Sequence, residues 1–340
     1  IYNGSEAALG TIIEKNNLRG RVFVSTKLPA YLCKSYADFD KYLNVQLSRL
    51  KTDYIDYYFM HMLTSISDFN KLKTLGIEKW INDKKAAGII RNIGFSFHGQ
   101  KDDFTAIVDA YDWDFCMIQY NYMNTHYQAG TDGLLYASSK GLPIFIMEPL
   151  LGGKLANGLP KKAIEVFKNT NSKYTPAAWA LRWLWNKPEI TLVLSGMNEL
   201  SQLDENVSLA SESYPNMLTK TENSAYDKVT DIFAESYKVP CTGCGYCMPC
   251  PKNIDIPACF MAYNTSFSIS KSKGQTMYMT GSAIASSNQK LASQCIKCGK
   301  CEMHCPQKIE IRNELVAVEK RLEPFWLKLA ALFYRFFMRN

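Results

Sequence analysis

"YIDYYFMHM" (residues 54–62) is an almost unbroken apolar and aromatic run with a histidine, His61, next to its end. Strands of a parallel sheet read this way, because helices cover both of its faces. Working outward, runs of the same kind recur at "VFVSTKL" (22–28), "NIGFSFH" (92–98), "FCMIQYNYM" (115–123), "PIFIMEPL" (143–150) and "TLVLSGM" (191–197). Amphipathic stretches such as "YADFDKYLNVQLSRLK" (36–51) and "TPAAWALRWLW" (175–185) lie between them. This alternation predicts a parallel α/β sheet, either open and doubly wound or an eight-stranded barrel without its first two units. Polar residues separate the two. Lys27, His61, Ser96, Gln119, Glu148 and Ser195 each stand at or near the C-terminal end of a different run. A barrel gathers those ends at one mouth, whereas an open sheet spreads them along a line. No Gly-x-Gly-x-x-Gly follows any run, which counts against a dinucleotide fold of the open type. The expected fold is therefore a (β/α)8 barrel whose first two strands are missing.

The 340 residues suffice for one large domain or two ordinary ones, and a hydrophobic content of 47% is that of a folded globular chain. The net charge of +7 has no Lys/Arg block behind it, so nucleic acid is not an expected partner. No signal peptide opens the chain and no apolar run is clean enough to span a bilayer, which makes the cytoplasm the expected location. The opening "IYNGSEAALG" has no initiator Met and a helical pattern starts at Ser5, so we expect a truncated chain. Nine of the eleven cysteines fall between Cys241 and Cys305. Clustered Cys-x-x-Cys pairs in an enzyme-sized, unsecreted chain suggest metal before disulfides.

The second cysteine run, "CIKCGKCEMHCP" (295–306), has the Cys-x2-Cys-x2-Cys-x3-Cys-Pro spacing of one half of a bacterial two-[4Fe–4S] ferredoxin. The first, "CTGCGYCMPCP" (241–251), matches it but for one residue fewer before the fourth cysteine. Three cysteines of a run wrap one cluster and the fourth reaches the other. On that logic Cys241, Cys244, Cys247 and Cys305 hold one cluster, and Cys250, Cys295, Cys298 and Cys301 hold the second. Zinc is the alternative, but zinc knuckles have no use for four cysteines in one run followed by proline. "CPKNIDIP" (250–257) and "CPQKIEIR" (305–312) complete an internal repeat, split by an insert whose stretch 264–288 is expected to form a helix and a loop. Cys259, Cys33 and Cys116 read as free thiols.

The blocks "YNGSEAALG", "VFVSTK", "DYIDYYFMH", "IRNIGFSFHG", "MIQYNYMN", "MEPLLGGKL" and "LSGMNELSQLDENV", in this order, resemble the aldo/keto reductases across roughly residues 1–210. That resemblance implies a (β/α)8 barrel that reduces carbonyls with NAD(P)H. Its catalytic tyrosine, lysine and histidine match Tyr2, Lys27 and His61, and its catalytic aspartate falls before Tyr2. Hydride delivery leaves charge on a carbonyl oxygen, which needs a proton donor and a local positive field. By the same resemblance Ser96 and Gln119 would bond the nicotinamide amide. Ser195, Gly196, Gln202, Glu205 and Asn206 would hold the phosphate and adenine end, and the helix start after Ser195 is an anion site on physical grounds. Met147 stands where many members stack an aromatic ring on the nicotinamide. His98 and His126 read as ordinary polar residues.

The expected organisation is a barrel over 1–215, a helical connection over 216–238, a two-cluster ferredoxin-type domain over 239–315 and an amphipathic helix over 316–340. A barrel followed by a dicluster domain resembles an iron–sulfur subgroup of the aldo/keto reductases. The tail from Phe325 to Met338 would span about 21 Å as a helix, too short for a bilayer core. It is expected to dock on the protein, with contact at a membrane surface as the lesser alternative. The expected function is an oxidoreductase that pairs a carbonyl or alcohol substrate with a redox partner protein. The rival is a non-enzymatic iron–sulfur carrier on a decayed barrel.

Overall fold

The structure, a computed structural model, describes residues 4–282, 290–327 and Leu329. Six strands follow one another in a single parallel sheet in the order of the chain. They are β1 (Ser25–Leu28), β2 (Ile55–Leu63), β3 (Ile90–Phe97), β4 (Phe115–Gln119), β5 (Ile144–Met147) and β6 (Leu192–Val193). Each expected run overlaps one of them, although β2 extends past its run to Leu63 and β3 begins before its run, at Ile90. Helices α1 (Ser5–Lys15), α2 (Tyr36–Leu50), α3 (Ile66–Thr74), α4 (Ile77–Ala86), α5 (Lys101–Asp109) and α6 (Gly130–Ser139) lie between and before the strands. Asp38 and Asp68 close capping boxes with Ser35 and Ser65, which start α2 and α3 by satisfying their first N–H groups.

Strand parity organises the sheet. Lys27 pairs with Phe59, Phe59 with Gly94, Ser96 with Met117, and Gln119 with Met147. Side chains of a strand alternate between faces, so Phe59, Ser96, Met117 and Gln119, and Phe145 and Met147 share a face with Lys27, while β2 shifts register between Met60 and Leu63, around His61. An aromatic cluster fills the middle of that face. The Phe59 and Phe115 ring centroids are 4.7 Å apart, and Phe115 stacks on Phe145 at 5.0 Å. A side chain at Gly94 would place its Cβ 2.4 Å from the Phe115 carbonyl oxygen, so only glycine lets β3 approach β4 here. Trp80, Phe69, Phe95, Phe104 and Trp113 are buried as well, against the covering helices.

The chain divides into two compact units: residues 1–149, 184–200 and 214–216 form one, and residues 150–183, 201–213 and 217–340 the other. This division differs from a boundary near residue 215. Helices α8 (Lys161–Thr170) and α9 (Pro176–Trp185) follow the short α7 (Lys154–Asn157), and α10 is Leu200–Glu212. The expected connection is α11 (Lys220–Ser236), started by the Thr219–Glu222 capping box. Phe167 stacks on Trp179 at 4.5 Å, the Tyr226 hydroxyl donates to the Trp179 carbonyl at 2.7 Å, and Arg182 pairs with buried Glu222 at 3.0 Å. These contacts hold the segment after β5 to α11.

Beyond α11 come α12 (Ile256–Ser268), α13 (Lys271–Gly281), α14 (Lys300–Met303) and α15 (Ile311–Leu322). The expected helix-and-loop insert is mostly helix, and its residues 283–289 lie outside those described. The expected terminal helix over 316–340 is corrected at its start: α15 begins at Ile311, with Glu310 as its N-cap inside the repeat "CPQKIEIR", and it ends before Glu323 and Pro324. The remainder of the tail lies outside the described residues apart from 325–327 and Leu329.

At the opposite end of β1–β3 from His61, Asp56 is 2% exposed and accepts from the Val24 N–H at 2.8 Å. Arg19 and Arg91 flank it at 2.9 and 3.0 Å, and their guanidinium groups sandwich the Tyr54 ring at 3.6 and 3.8 Å. Asp56→Ala leaves both cations without their carboxylate and is expected to cost about 3 kcal/mol in urea unfolding. Arg91→Ala should cost less, since Arg91 is half exposed.

Candidate active site and cysteine cavities

Tyr2 lies outside the described residues. Of the other expected catalytic residues, Lys27 sits on β1 with its Nζ 5.4 Å from the Phe59 ring centroid. His61, near the end of β2, is 2% exposed. Its pKa is lowered to about 3, first by burial and then by the charges of Lys27 and His98. At neutral pH it is an uncharged imidazole with one N–H to donate. Two residues stand beside it: Tyr31, which the sequence reading passed over, and His98, which it took for an ordinary polar residue. The Tyr31 ring, one short turn after β1, is 6.0 Å from the His61 ring, and buried His98 closes the end of β3. The signal for Tyr31 was its place four residues after Lys27, which periodicity alone does not distinguish from surface.

Ser96 and Gln119 are both 0% exposed. The Ser96 hydroxyl accepts from the Met62 N–H at 3.0 Å and keeps its proton for another acceptor. Among the described residues, neither the amide nitrogen nor the oxygen of Gln119 has a hydrogen-bond partner. A buried primary amide in that state costs stability unless a ligand completes it. Met147 is half-buried at the end of β5, and Glu148 follows it outside the strand with φ of +53°, its carbonyl accepting from Asn121. Ser195 and Gly196 follow β6. Gln202, Glu205 and Asn206 stand on α10, where the Glu205 carboxylate accepts from the Thr175 hydroxyl at 2.7 Å. His126 lies in the loop before α6.

The cysteines gather in two places. Cys241, Cys244, Cys247 and Cys305 line one cavity with Ile256 and Phe260. Cys250, Cys295, Cys298 and Cys301 line another, with Cys247 and Leu315. The second is the wider, about 150 Å³ against about 20 Å³. The internal repeat is present in the backbone. Gly243 and Gly245 of the first run, and Lys297 and Gly299 of the second, all have φ between +54° and +79°. Asn253 and Lys308, each three residues after its fourth cysteine, repeat the conformation and donate back to Cys250 and Cys305 at 2.8 and 3.1 Å. Such turns aim N–H groups at sulfur, as the Lys297 N–H does toward Cys295 Sγ at 3.4 Å. The Met248 N–H to Gly245 carbonyl bond of 2.9 Å in the first run is matched in the second by Glu302 N–H to Gly299 carbonyl at 3.1 Å, so the missing residue falls between Met248 and Cys250.

Burial raises the thiol pKa of Cys241, Cys247, Cys301 and Cys305, in Cys247 to about 12. Among the described residues no three Cys, His, Asp or Glu side chains converge on a single-ion site. Thiols spread around a cavity suit a cluster that takes one sulfur per corner better than they suit zinc. Cys259 is 3% exposed against Tyr278, Cys116 is fully buried and Cys33 half-buried.

The His61 shift sets a pH dependence. Unfolded histidine binds its proton near pH 6.5, whereas native His61 stays neutral down to about pH 3. The unfolded state therefore takes up the extra proton between those values, and stability present above pH 6.5 is lost as the pH falls. Thermal melts of His61→Gln are expected to decline less than the wild type between pH 6.5 and about pH 4.

Residues 1–229 match the family model of the aldo/keto reductase family, and residues 240–310 match that of a 4Fe-4S dicluster domain. Two solved structures share the fold of the barrel portion, the holo and apo forms of the aldo-keto reductase AKR11C1 from Bacillus halodurans. Each is 20% identical over 66% of this chain, covering 77% and 76% of theirs, with TM-scores of 0.53 and 0.51. No curated relative matches the chain in sequence. Among the described residues no helix is long and apolar enough to cross a membrane. The chain belongs to the aldo/keto reductase family and joins that oxidoreductase fold to a 4Fe-4S dicluster domain for electron transfer.

Proposed function

We propose that the chain is a NAD(P)H-linked oxidoreductase that acts on a carbonyl or alcohol and exchanges single electrons with a partner protein through two [4Fe–4S] clusters. Gln119 carries the nicotinamide part of this reading: a fully buried amide, with neither atom bonded among the described residues, on the same sheet face as Lys27. A carboxamide offers the matching donor and acceptor, and the Ser96 hydroxyl has a proton left to give it. A bound nicotinamide supplies a hydride pair, and bound clusters store one electron each. The side chains of the strand ends do the rest. Lys27 places a positive charge beside the reacting oxygen. Neutral His61 donates its N–H to that oxygen and orients the carbonyl. Tyr31 and Met147 give the substrate an apolar wall.

The two cavities support the ligand sets that the spacing implies, with Cys247 lining both. Cys241, Cys244, Cys247 and Cys305 hold one cluster, and Cys250, Cys295, Cys298 and Cys301 hold the other. A hydride carries two electrons and a cluster takes one, so the barrel and the clusters exchange electrons only through a substrate or a flavin that tolerates single-electron steps.

Gln119→Leu removes the unpartnered amide, so the nucleotide-free protein should gain about 1–2 kcal/mol in stability. The same change should weaken NADPH or NADH binding, followed by nicotinamide fluorescence, by at least about tenfold. Equal binding in both proteins would leave the rival reading, an iron–sulfur carrier on an inactive barrel. Cys244→Ala and Cys298→Ala should each retain about half of the wild-type iron and sulfide after anaerobic reconstitution. Loss of all iron in either variant would sink the assignment of separate ligand sets.

A further inference from the structure

The two cysteine cavities differ in the side chains they bring to the surface. Behind Cys241, Cys244, Cys247 and Cys305 stand Ile256, Phe260, Gln307, Ile309 and Ile311, all buried, and Cys244 is the one exposed residue of that lining. The segment after β5 lies against the same run. A Cβ on Gly152 would be 2.5 Å from the Thr242 carbonyl oxygen. The half-buried Lys154 holds its Nζ 4.8 Å from the centroid of the Tyr237 ring, whose hydroxyl donates to the Cys241 carbonyl at 2.9 Å.

The cavity of Cys250, Cys295, Cys298 and Cys301 is rimmed differently. Besides Cys298, its exposed lining residues are Pro249, Pro251, Ile296, Lys300, His304 and Arg312. Ile296 is 57% exposed, and Met303, next to His304, is 72% exposed. No carboxylate joins this lining. Glu302 takes up Arg312 through Nε at 2.8 Å and Nη2 at 2.7 Å, which offsets that charge. Among the described residues Lys300 and its exposed neighbour Lys297 enter no ion pair. Apolar side chains beside a ligand cysteine, with exposed cations around them, make a surface for a partner of opposite charge.

We propose that the site of Cys250, Cys295, Cys298 and Cys301 is the port through which electrons enter or leave the chain, and that an acidic one-electron carrier protein docks over it on Ile296, Met303, Lys297 and Lys300. This deepens the proposed function and rests on its reading that both cavities hold clusters. In each encounter one electron passes between the carrier and this cluster, and no bond forms or breaks. Cys247 lines both cavities, so the electron has a short path to the first site. Electron-transfer encounters bury less than about 1,200 Å², so a few apolar side chains ringed by charge suffice. Exposed charges act there chiefly on the rate of encounter, and salt screens them.

The test uses the reconstituted full chain, reduced with dithionite and freed of the excess, in anaerobic stopped flow. It is mixed with oxidised flavodoxin, an acidic carrier, or with cytochrome c, a basic one. The second-order rate constant for flavodoxin semiquinone should fall as salt rises, and that for cytochrome c should not. Lys297→Glu/Lys300→Glu should slow flavodoxin by at least about tenfold at low salt and speed cytochrome c. Lys297→Ala/Lys300→Ala should do the same to a smaller extent, and serves if the glutamate variant loses iron. Lys161→Glu/Lys162→Glu, an equal charge change at the exposed start of α8, should leave both rates alone. Cys244→Ala, which retains the second site, should keep the flavodoxin rate, and Cys298→Ala should lose most of it. Flavodoxin rates indifferent to salt and to both Lys297/Lys300 variants would overturn this inference alone. So would an equal loss in the α8 variant, or a rate that survives Cys298→Ala and is lost in Cys244→Ala. A wild type without iron and sulfide would overturn the cluster reading together with it.

Discussion

Asp56 is the point on which the active-site geometry depends. Its carboxylate takes the Val24 N–H at the entry to β1 and the Arg91 guanidinium on β3, while its own backbone lies in β2. Arg19 completes the group from the loop after α1. Three strands are thereby locked in register at their first residues, in a place where an unpaired charge would be costly. Because side chains alternate, a one-residue slip of β2 would turn Phe59 off the face that carries Lys27 and Ser96. The chemistry at one end of the strands is positioned by an ion cluster at the other.

The dicluster part solves the same problem with backbone conformation. Left-handed residues at matching places in both runs curl each run around its cavity, and a hydrophobic core of Ile254, Ile256, Phe260, Ile309, Ile311 and Leu315 backs them. Side chains finish the frame. Asn264 brackets Val239 with bonds to its N–H and carbonyl at 2.9 and 2.7 Å, which fixes the chain just before Cys241. Buried Tyr278 and Glu323 bond each other and hold the backbone of Ala292 and Ser293, just before Cys295. Each run thus enters its cavity from a point pinned by a buried polar group.

On the proposed function the two halves deal in different electron units. The barrel offers neutral His61, charged Lys27 and an amide awaiting a partner, which is equipment for polar two-electron chemistry. The cavity of Cys241, Cys244, Cys247 and Cys305 is lined without a charged side chain, whereas Lys300, His304 and Arg312 join the lining of the other. The segment after β5 belongs by sequence to the reductase family match yet packs within the compact unit of the cysteines.

The runs around "YIDYYFMHM" and the two Cys-x-x-Cys series were legible in the sequence because they are local. Strand period, ligand spacing and the repeated "CPKNIDIP" and "CPQKIEIR" are set by neighbours in the chain, so the parallel α/β sheet and the paired cysteine runs followed from them alone. Residues such as Tyr31, His98 and Lys154 carry no such pattern. Their importance comes from which rings and thiols they meet after folding: His61 for the first two, Tyr237 and the Cys241 loop for the third. The unpartnered state of Gln119 and the division that assigns residues 150–183 to the second unit were likewise decided only by tertiary structure. Burial and long-range electrostatics depend on distances through space, and the order of residues along a chain does not encode those distances until the packing is known.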